Sequence, residues 1–529
     1  MIPALLRRSA ARFEDRDYIV TANRRLTFGE AELQSRRLAK HLLRAGIGKG
    51  TRVGILFPQG PDFVVALLAV CRIGAVAVPL STFFRGPELC RAVRHADVHM
   101  LLAQHDAAAL FEAAWPELSS ARGPDLHLAA VPYLRRISLS GGTAHRWASV
   151  LPEFPQLGDE PSISDQLLEE IESEVTPADL MVMVHTPGAT AEPKAVVHTH
   201  GAQVRHSEAV AALHGVTNAT RTFTTMPFFW VGGLTVILLS HLHAGAMVIT
   251  VERMDVPLML EMIERWQASR VIGWTLVERI TGDPALAHRD LSWLAALQVP
   301  SLAAPGRRHN ALGMTETCGP HTGAPYANTD DLPDHWRGSF GPPLAGLQHK
   351  IVDPETGGVQ ADGVEGEICV RGYSLMDGLY KRERRNTFDD DGWYHTGDRG
   401  FFRDGLLFFT GRRSEMIKTG GANVAPREVE AALESFPEVK AAFVVAVPDD
   451  ERGELVGAMV LSSCRTKTRR GWCRAKSANL ASLRCCSTRP TSRAAVRIEH
   501  LPLFEHSRRR QDHLRAGTMD AYVRGFVED

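Results

Sequence analysis

Residues 51–80 read TRVGILFPQGPDFVVALLAVCRIGAVAVPL. The run 51–57 is short and apolar and stops at Pro58. In 61–72, Phe63, Leu67, Val70 and Cys71 recur at helical spacing, and Gly74 ends the run. Residues 75–80 are apolar again. Strand, helix and strand joined by short Gly/Pro turns predict a parallel βαβ unit. The pattern returns downstream: a helix over 231–242, a strand over 246–251, an amphipathic helix over 257–268 and a strand over 270–274. Two such stretches predict an α/β fold with two packed α/β subdomains. From 338 to 411 the chain turns β-rich, with strands expected at 347–352, 366–371 and 406–409. After Gly411 a basic turn leads to an expected helix over 426–436 and strand over 441–447. The predicted organisation is a large N-terminal domain, 1–411, and a small α+β C-terminal domain, 412–529.

The length of 529 residues is enough for several packing units. With 44% apolar and 23% charged residues, wholesale disorder, collagen-like structure and a disulfide scaffold are excluded. The formal net charge of -1 gives no reason to expect nucleic acid as a partner. The eight cysteines form no C-x-x-C pair, so a reduced, cytoplasmic setting is expected. The N-terminus lacks a signal-peptide core, and Arg72 and Gly74 interrupt the longest apolar run. A membrane-spanning segment is therefore not expected.

Four motifs carry chemistry. Thr186-Pro187-Gly188-Ala189-Thr190-Ala191-Glu192-Pro193-Lys194 follows a strand-like run. Small residues, hydroxyls and a lysine can wrap phosphates with backbone N–H groups and one cation. An ordinary Gly/Pro loop has the same composition. Leu312-Gly313-Met314-Thr315-Glu316-Thr317 offers hydroxyl, carboxylate and hydroxyl, suited to a phosphate oxygen and a hard cation such as Mg²⁺. Taken alone it reads more simply as a helix N-terminus capped by Thr315. Gly392-Trp393-Tyr394-His395-Thr396-Gly397-Asp398 sets a carboxylate after a tight turn, either a ribose ligand or an exposed hairpin acid. Finally, Gly411 to Glu430 joins a cationic turn (Arg412, Arg413) to Lys418 and a Gly420-Gly421 loop, then to Pro426 and Glu428 at a helix start. A basic interdomain linker would look alike.

Together, in this order, the four motifs resemble the ANL superfamily of adenylate-forming enzymes: acyl-CoA synthetases, adenylation domains and luciferases. The resemblance runs from Leu26-Thr27-Phe28 to about Leu461. It includes Met226-Pro227-Phe228-Phe229-Trp230-Val231-Gly232-Gly233, similar to the family's acyl-site segment, and Gly366-Glu367-Ile368-Cys369-Val370-Arg371-Gly372. It implies a ligase that uses ATP, Mg²⁺ and coenzyme A to activate a carboxylic acid through an acyl-adenylate, with a mobile C-terminal lid. Such chemistry brings an anionic carboxylate onto a polyanionic phosphate, so cations and oriented N–H donors must offset the repulsion. By position, Thr186, Gly188, Thr190 and Lys194 would hold the β/γ-phosphates. Thr315 would touch the α-phosphate and Glu316 would hold Mg²⁺. Asp398 and Arg412 would bind the ribose. Gly420 and Gly421 would line the thiol tunnel, with Lys418 nearby. Trp230 and Gly232 would border the acid, and the indole suits a fatty or other apolar acid. An aryl-acid CoA ligase, or a family member that binds nucleotide or acyl ligand without efficient turnover, are the competing expectations. A homodimer is the oligomer the resemblance admits.

The chain departs from the family pattern in places. Pro187, Ala189, Ala191 and Ala195 replace Ser, Thr, Gly and Gly, and Pro187 removes an N–H donor. Leu312 stands for an aromatic residue that stacks on adenine, and Ser414 for a hinge Asp or Lys. Only a short stretch, which includes Ala303-Ala304-Pro305-Gly306, precedes Leu312 where the family has a longer adenine cradle. Between Cys464 and Ile498 there are ten cations and no acid. That stretch reads as a shifted reading frame or a degenerating C-terminus, or else as a cationic surface for coenzyme A phosphates or an acidic lipid. Flanking Leu501-Pro502-Leu503 and Asp512 align Arg510 with the family lysine that bridges acyl carboxylate and α-phosphate. Arginine keeps the charge without the compact three-donor head. Arg510→Lys is expected to raise the rate of pyrophosphate release with ATP and acid, by up to about 10²-fold; a slower variant refutes the alignment.

Overall fold

The computed structural model describes residues 1–186, 194–273, 283–296, 311–324, 333–336, 338–412, 417–419, 422–424, 439–449, 453–462, 471–473, 483–486 and 494–498, with 276, 280, 426, 429, 430 and 433 singly. The chain divides into two compact units, Met1–Gln348 with Val370–Tyr394, and His349–Cys369 with His395–Asp529.

The first unit is built on two sheets. The larger orders its eight strands Gly378–Leu379, Lys194–Thr199, Leu180–Thr186, Val76–Pro79, Arg52–Leu56, Met100–Gln104, Arg136–Ser140 and Ser149–Leu151. From Leu180–Thr186 onward the neighbours run parallel. Lys194–Thr199 pairs antiparallel on both its sides. The central strands are buried nearly end to end, as expected of parallel strands covered on both faces. The second sheet orders Arg270–Ile272, Arg221–Thr224, Met247–Thr250, Asp17–Val20 and Arg25–Thr27, parallel except for the last pair. The two expected α/β layers are these sheets.

Local chemistry explains the helices between them. Phe28–Arg44 starts at a capping box: the Thr27 hydroxyl accepts the Glu30 N–H, and the Glu30 carboxylate accepts the Thr27 N–H. Pro61–Arg72 has Pro at its first position and is buried on nearly every side. It ends at Arg72, whose side chain is only 1% exposed. That guanidinium is held by Glu172 at 2.5 Å and Glu32 at 3.0 Å, and it donates to the Ser35 hydroxyl at 3.0 Å. A buried charge is tolerated only when paired in this way; removing one partner typically costs about 3–5 kcal/mol.

The helix expected over 231–242 has a different start. Gly232–Leu239 is π-helical and only Ser240–Ala244 is α-helical. The wider turn opens on Gly232 and Gly233, and the α-helical end stops at Gly245, which is left-handed at φ +70°.

A four-stranded sheet orders Leu347–Val352, Gly366–Gly372, Tyr394–Arg403 and Leu406–Arg412, the last two an antiparallel hairpin; of these strands, 349–352, 366–369, 395–403 and 406–412 fall in the second unit. A further sheet orders Ala422–Val424, Ile417–Thr419, Gly453–Ser462, Ala494–Ile498, Leu483–Cys486 and Gly471–Cys473, and Val439–Asp449 pairs with Gly453–Ser462. The acid-free stretch thus contributes strands to this sheet. The helix expected over 426–436 lies largely outside the described residues.

The first unit also buries several histidines. Burial lowers His185, His198, His200, His206 and His214 to about 4, and His241 to about 3, from an ordinary 6.5. In the unfolded chain these rings take up protons as pH falls through 6.5, while the folded ones stay neutral until near 4. Unfolding therefore takes up protons in that window, and stability declines as pH falls. Each ring contributes a slope of at most about 1.4 kcal/mol per pH unit. The urea midpoint should be flat in this respect above pH 7 and drop steeply from 6.5 to 4.5. A midpoint unchanged down to pH 5 would contradict the neutral buried rings.

Candidate functional site

The phosphate-type motif is the turn of a β-hairpin. Thr186 closes one strand and Lys194 opens the next, directly opposite each other in the ladder. Gly188 and Thr190 lie outside the described residues. Ala195 is not in the turn; it is a buried ladder residue facing His185. Along the outgoing strand, Lys194 and His198 share a face because side chains alternate with period two. Their Cα atoms lie about 13 Å apart at about 3.3 Å per residue.

His198 reaches the second motif. Its Nε2 lies 2.7 Å from the Thr315 carbonyl, and its Nδ1 lies 3.1 Å from Cys318 Sγ. The segment is not the helix N-terminus that its composition suggests. Gly313–Met314 and Gly319–Pro320 pair as a tiny hairpin, and Thr315–Thr317 is a single 3-10 turn at its tip. The return strand follows too soon for a helix. Cys318 closes the turn in the left-handed region at φ 59°, and Gly319 continues at φ 119°. Thr317, fully buried, is spent on the turn itself, donating to the Gly319 carbonyl at 2.7 Å. Thr315 and Glu316 keep partly exposed side chains. The Glu316 carbonyl accepts the Met376 N–H at 2.8 Å, and its carboxylate accepts the Tyr394 hydroxyl at 3.3 Å. Met376 precedes Gly378–Leu379, which pairs with Lys194–Thr199. The tip is thus tied to the lysine strand by two routes.

The π-helical turn that follows the acyl-type segment packs against the same hairpin. A Cβ built on Gly319 would lie 3.4 Å from Val236 Cγ2 in the π-helical turn. Trp230 is half-buried and meets the Phe229 ring edge-on at 5.3 Å, and Phe229 meets Phe83 edge-on at 5.7 Å. Phe83 is 60% exposed, so this aromatic row runs from surface to interior. The two glycines differ. A Cβ on Gly232 would meet only the tip of Met226, at 2.3 Å, whereas one on Gly233 would stand 2.1 Å from the Pro227 carbonyl oxygen.

The second unit holds Asp398 and Arg412, opposite each other in their hairpin, with Arg412 Nε 3.0 Å from Asp398 Oδ1. The exposed-acid reading fails: the Asp398 side chain is 4% exposed and that of Arg412 is 56%. Around it, Glu367 accepts the Gly397 N–H at 3.1 Å, and the Thr396 hydroxyl donates to the Ile368 carbonyl at 2.7 Å. Lys418 is the central residue of Ile417–Thr419, paired with Asn423. Gly420, Gly421 and Arg510 lie outside the described residues.

The donor set fits one hard cation of the expected kind. Mg²⁺ is usually held by one or two carboxylates together with substrate phosphates and water, and Glu316 supplies one half-buried carboxylate. Among the described residues, no group of three or more His, Cys, Asp or Glu could hold a metal ion by itself. No helix among them is long and apolar enough to cross a membrane. Sequence reasoning missed His198, Cys318 and Tyr394. The signal for His198 was its four-residue spacing from Lys194 on one strand face.

Comparison with known proteins places the chain in a family. The family described as AMP-binding enzyme matches residues 6–380, and the AMP-binding enzyme C-terminal domain matches 428–486, which includes the first part of the acid-free stretch. A 4-coumarate–CoA ligase of Oryza sativa subsp. japonica is 31% identical over 464 residues, covering 83% of this chain and 80% of its own. A sulfoacetate–CoA ligase of Cupriavidus necator is 29% identical over 484 residues, covering 87% of each chain. Among solved structures, anthranilate CoA ligase AuaEII with anthranoyl-AMP shares the fold at TM-score 0.70 and 20% identity, over 87% of this chain and 86% of that one. ATP-bound MatB from Rhodopseudomonas palustris does so at TM-score 0.68 and 23% identity, over 89% and 90%.

The glycine pair gives a direct test. Gly233→Ala forces backbone apart and should destabilise the first unit by about 1–3 kcal/mol, read as a lowered thermal midpoint. Gly232→Ala displaces only a flexible methionine tip and should stay within about 1 kcal/mol. Equal effects would contradict the packing described.

Proposed function

Because the chain belongs to the AMP-binding enzyme family and is an AMP-forming acid–thiol ligase, we propose that it activates a fatty or other apolar carboxylic acid with ATP and transfers the acyl group to coenzyme A. The observation that carries this reading is the tie between the lysine strand and the Thr315–Thr317 turn, with the π-helical turn that follows the aromatic row packed on the same hairpin. A row of Phe83, Phe229 and Trp230 offers apolar contact and no fixed charge, so it favours an apolar acid over a charged one. The likeness to a 4-coumarate–CoA ligase favours an aryl acid as the second reading.

In this reading a carboxylate oxygen of the acid attacks the α-phosphorus of ATP. Pyrophosphate leaves, and the thiol of coenzyme A then displaces AMP from the acyl carbon. Lys194, with Thr186, Gly188 and Thr190 of its turn, holds the outer phosphates. Thr315 orients the α-phosphate through its hydroxyl. Glu316, whose carboxylate accepts the Tyr394 hydroxyl, would hold Mg²⁺. Mg²⁺ supplies positive charge beside the phosphate oxygens. Asp398 accepts from the ribose hydroxyls while Arg412 donates to them, the ion pair fixing both. Arg510 bridges carboxylate and phosphate. Gly420, Gly421 and Lys418 border the thiol's approach, with Ser414 at the hinge position. Trp230 and Gly232 border the acid.

The test is a two-step assay, with pyrophosphate release measured separately from thioester formation over a panel of fatty and aryl acids. The expected result is preference for an apolar aliphatic acid; preference for aryl acids selects the second reading. Glu316→Ala should abolish Mg-dependent pyrophosphate release. Unchanged turnover removes Glu316 from the metal role.

A further inference from the structure

The contact between His198 and the Thr315–Thr317 turn has its own chemical logic. The Thr315 carbonyl can only accept, so the ring must carry its proton on Nε2. Burial lowers His198 to about 4, so the ring is neutral and Nδ1 is left as an acceptor. Cys318 must then donate its S–H to Nδ1. One tautomer thus satisfies both contacts, from a ring that is 0% exposed. The ring grips the turn on both sides of Glu316, at residues 315 and 318. The Met376 contact enters the same turn from a different segment. The His198 ring is a direct side-chain link between the Lys194 strand and the turn.

We propose that His198 is a positioning residue of the adenylation step, fixing the spacing between Lys194 and the Thr315–Glu316 pair. The proposal rests on the reading of Lys194, Thr315 and Glu316 as the nucleotide-binding set. If Lys194 holds the outer phosphates and Thr315 the inner one, the strand and the turn must keep their separation to well within an ångström. Misplacement of that size costs about 10²-fold in a step governed by alignment. His198 touches no reacting atom; it acts through the backbone of Thr315.

Three substitutions separate positioning from mere packing. His198→Leu fills similar volume and removes both contacts. His198→Gln places an amide N–H near the Nε2 position, toward the Thr315 carbonyl. His198→Asn is too short for that and serves only the Cys318 side. Pyrophosphate release is followed with ATP and the best acid of the panel, and kcat and KM for each substrate are separated. His198→Leu and His198→Asn should lose about 10²-fold in kcat with the acid KM unchanged, and His198→Gln should recover at least about tenfold of that loss. Should the leucine variant not fold, the Gln-against-Asn comparison decides alone. Equal rates in Gln and Asn, or a wild-type kcat in Leu, overturn the proposal. A wild-type chain that neither binds ATP nor releases pyrophosphate with any acid overturns the underlying reading and this one with it.

Discussion

The register of one antiparallel strand pair governs the site. Leu180–Thr186 runs with the parallel set, and Lys194–Thr199 runs back against it. This ladder places Lys194 opposite Thr186 at the mouth of the turn, whatever path the turn takes. It also phases the strand so that Lys194 and His198 share a face. A slip of one residue would send both to the other face and break the link to Thr315. The irregularity between Leu180 and Val182 absorbs one such offset at the far end, away from the turn. Gly378–Leu379 pairs on the other edge and carries Met376 to Glu316. Three separate parts of the sequence therefore depend on one reversal of chain direction.

Much of this was legible from sequence, for identifiable reasons. Pro61–Arg72 was readable because Pro starts it, apolar residues fill its faces and Gly74 follows. The strands around it were readable because burial on both faces demands unbroken apolar runs. The hairpin at the Thr315 motif was not legible, because cap chemistry is local, whereas the pairing of Gly313 with Pro320 is not. Burial of Asp398 was equally invisible, since it depends on the register that sets Arg412 opposite. The π-helical turn at Gly232 was missed because its apolar residues read the same in either helix type. The buried histidines gave no signal, as a histidine's environment is set by what packs on it from elsewhere.

Those histidines bear on the electrostatics of the site. A pocket that must bring a carboxylate onto a phosphate needs positive charge only where the anions meet. His198 and His206, lowered by burial, supply hydrogen bonds without adding charge behind the turn. Tyr394 likewise orients Glu316 without compensating it. In the second unit the opposite choice is made. Arg412 is paired with a buried Asp398, so the two present a donor and an acceptor together with little net charge, which suits a ribose diol better than a phosphate.

The departures from the family pattern now divide into two kinds. Ala195 stands where the family has glycine, yet it is a buried ladder residue opposite His185 whose carbonyl accepts the Tyr380 N–H at 2.9 Å. A strand position with negative φ has no need of glycine, so this change removes no phosphate donor. Pro187 and Ala189 lie outside the described residues; in sequence they remove one N–H donor and two hydroxyls from the family pattern, and Ala191 replaces a glycine. The scaffold holding the turn's two ends is regular, as is the hairpin at Thr315. Any deficit in this chain is therefore one of phosphate contacts rather than of architecture. Under the proposed reading it would fall on adenylation, where the outer phosphates must be held, and not on the segment that carries Trp230.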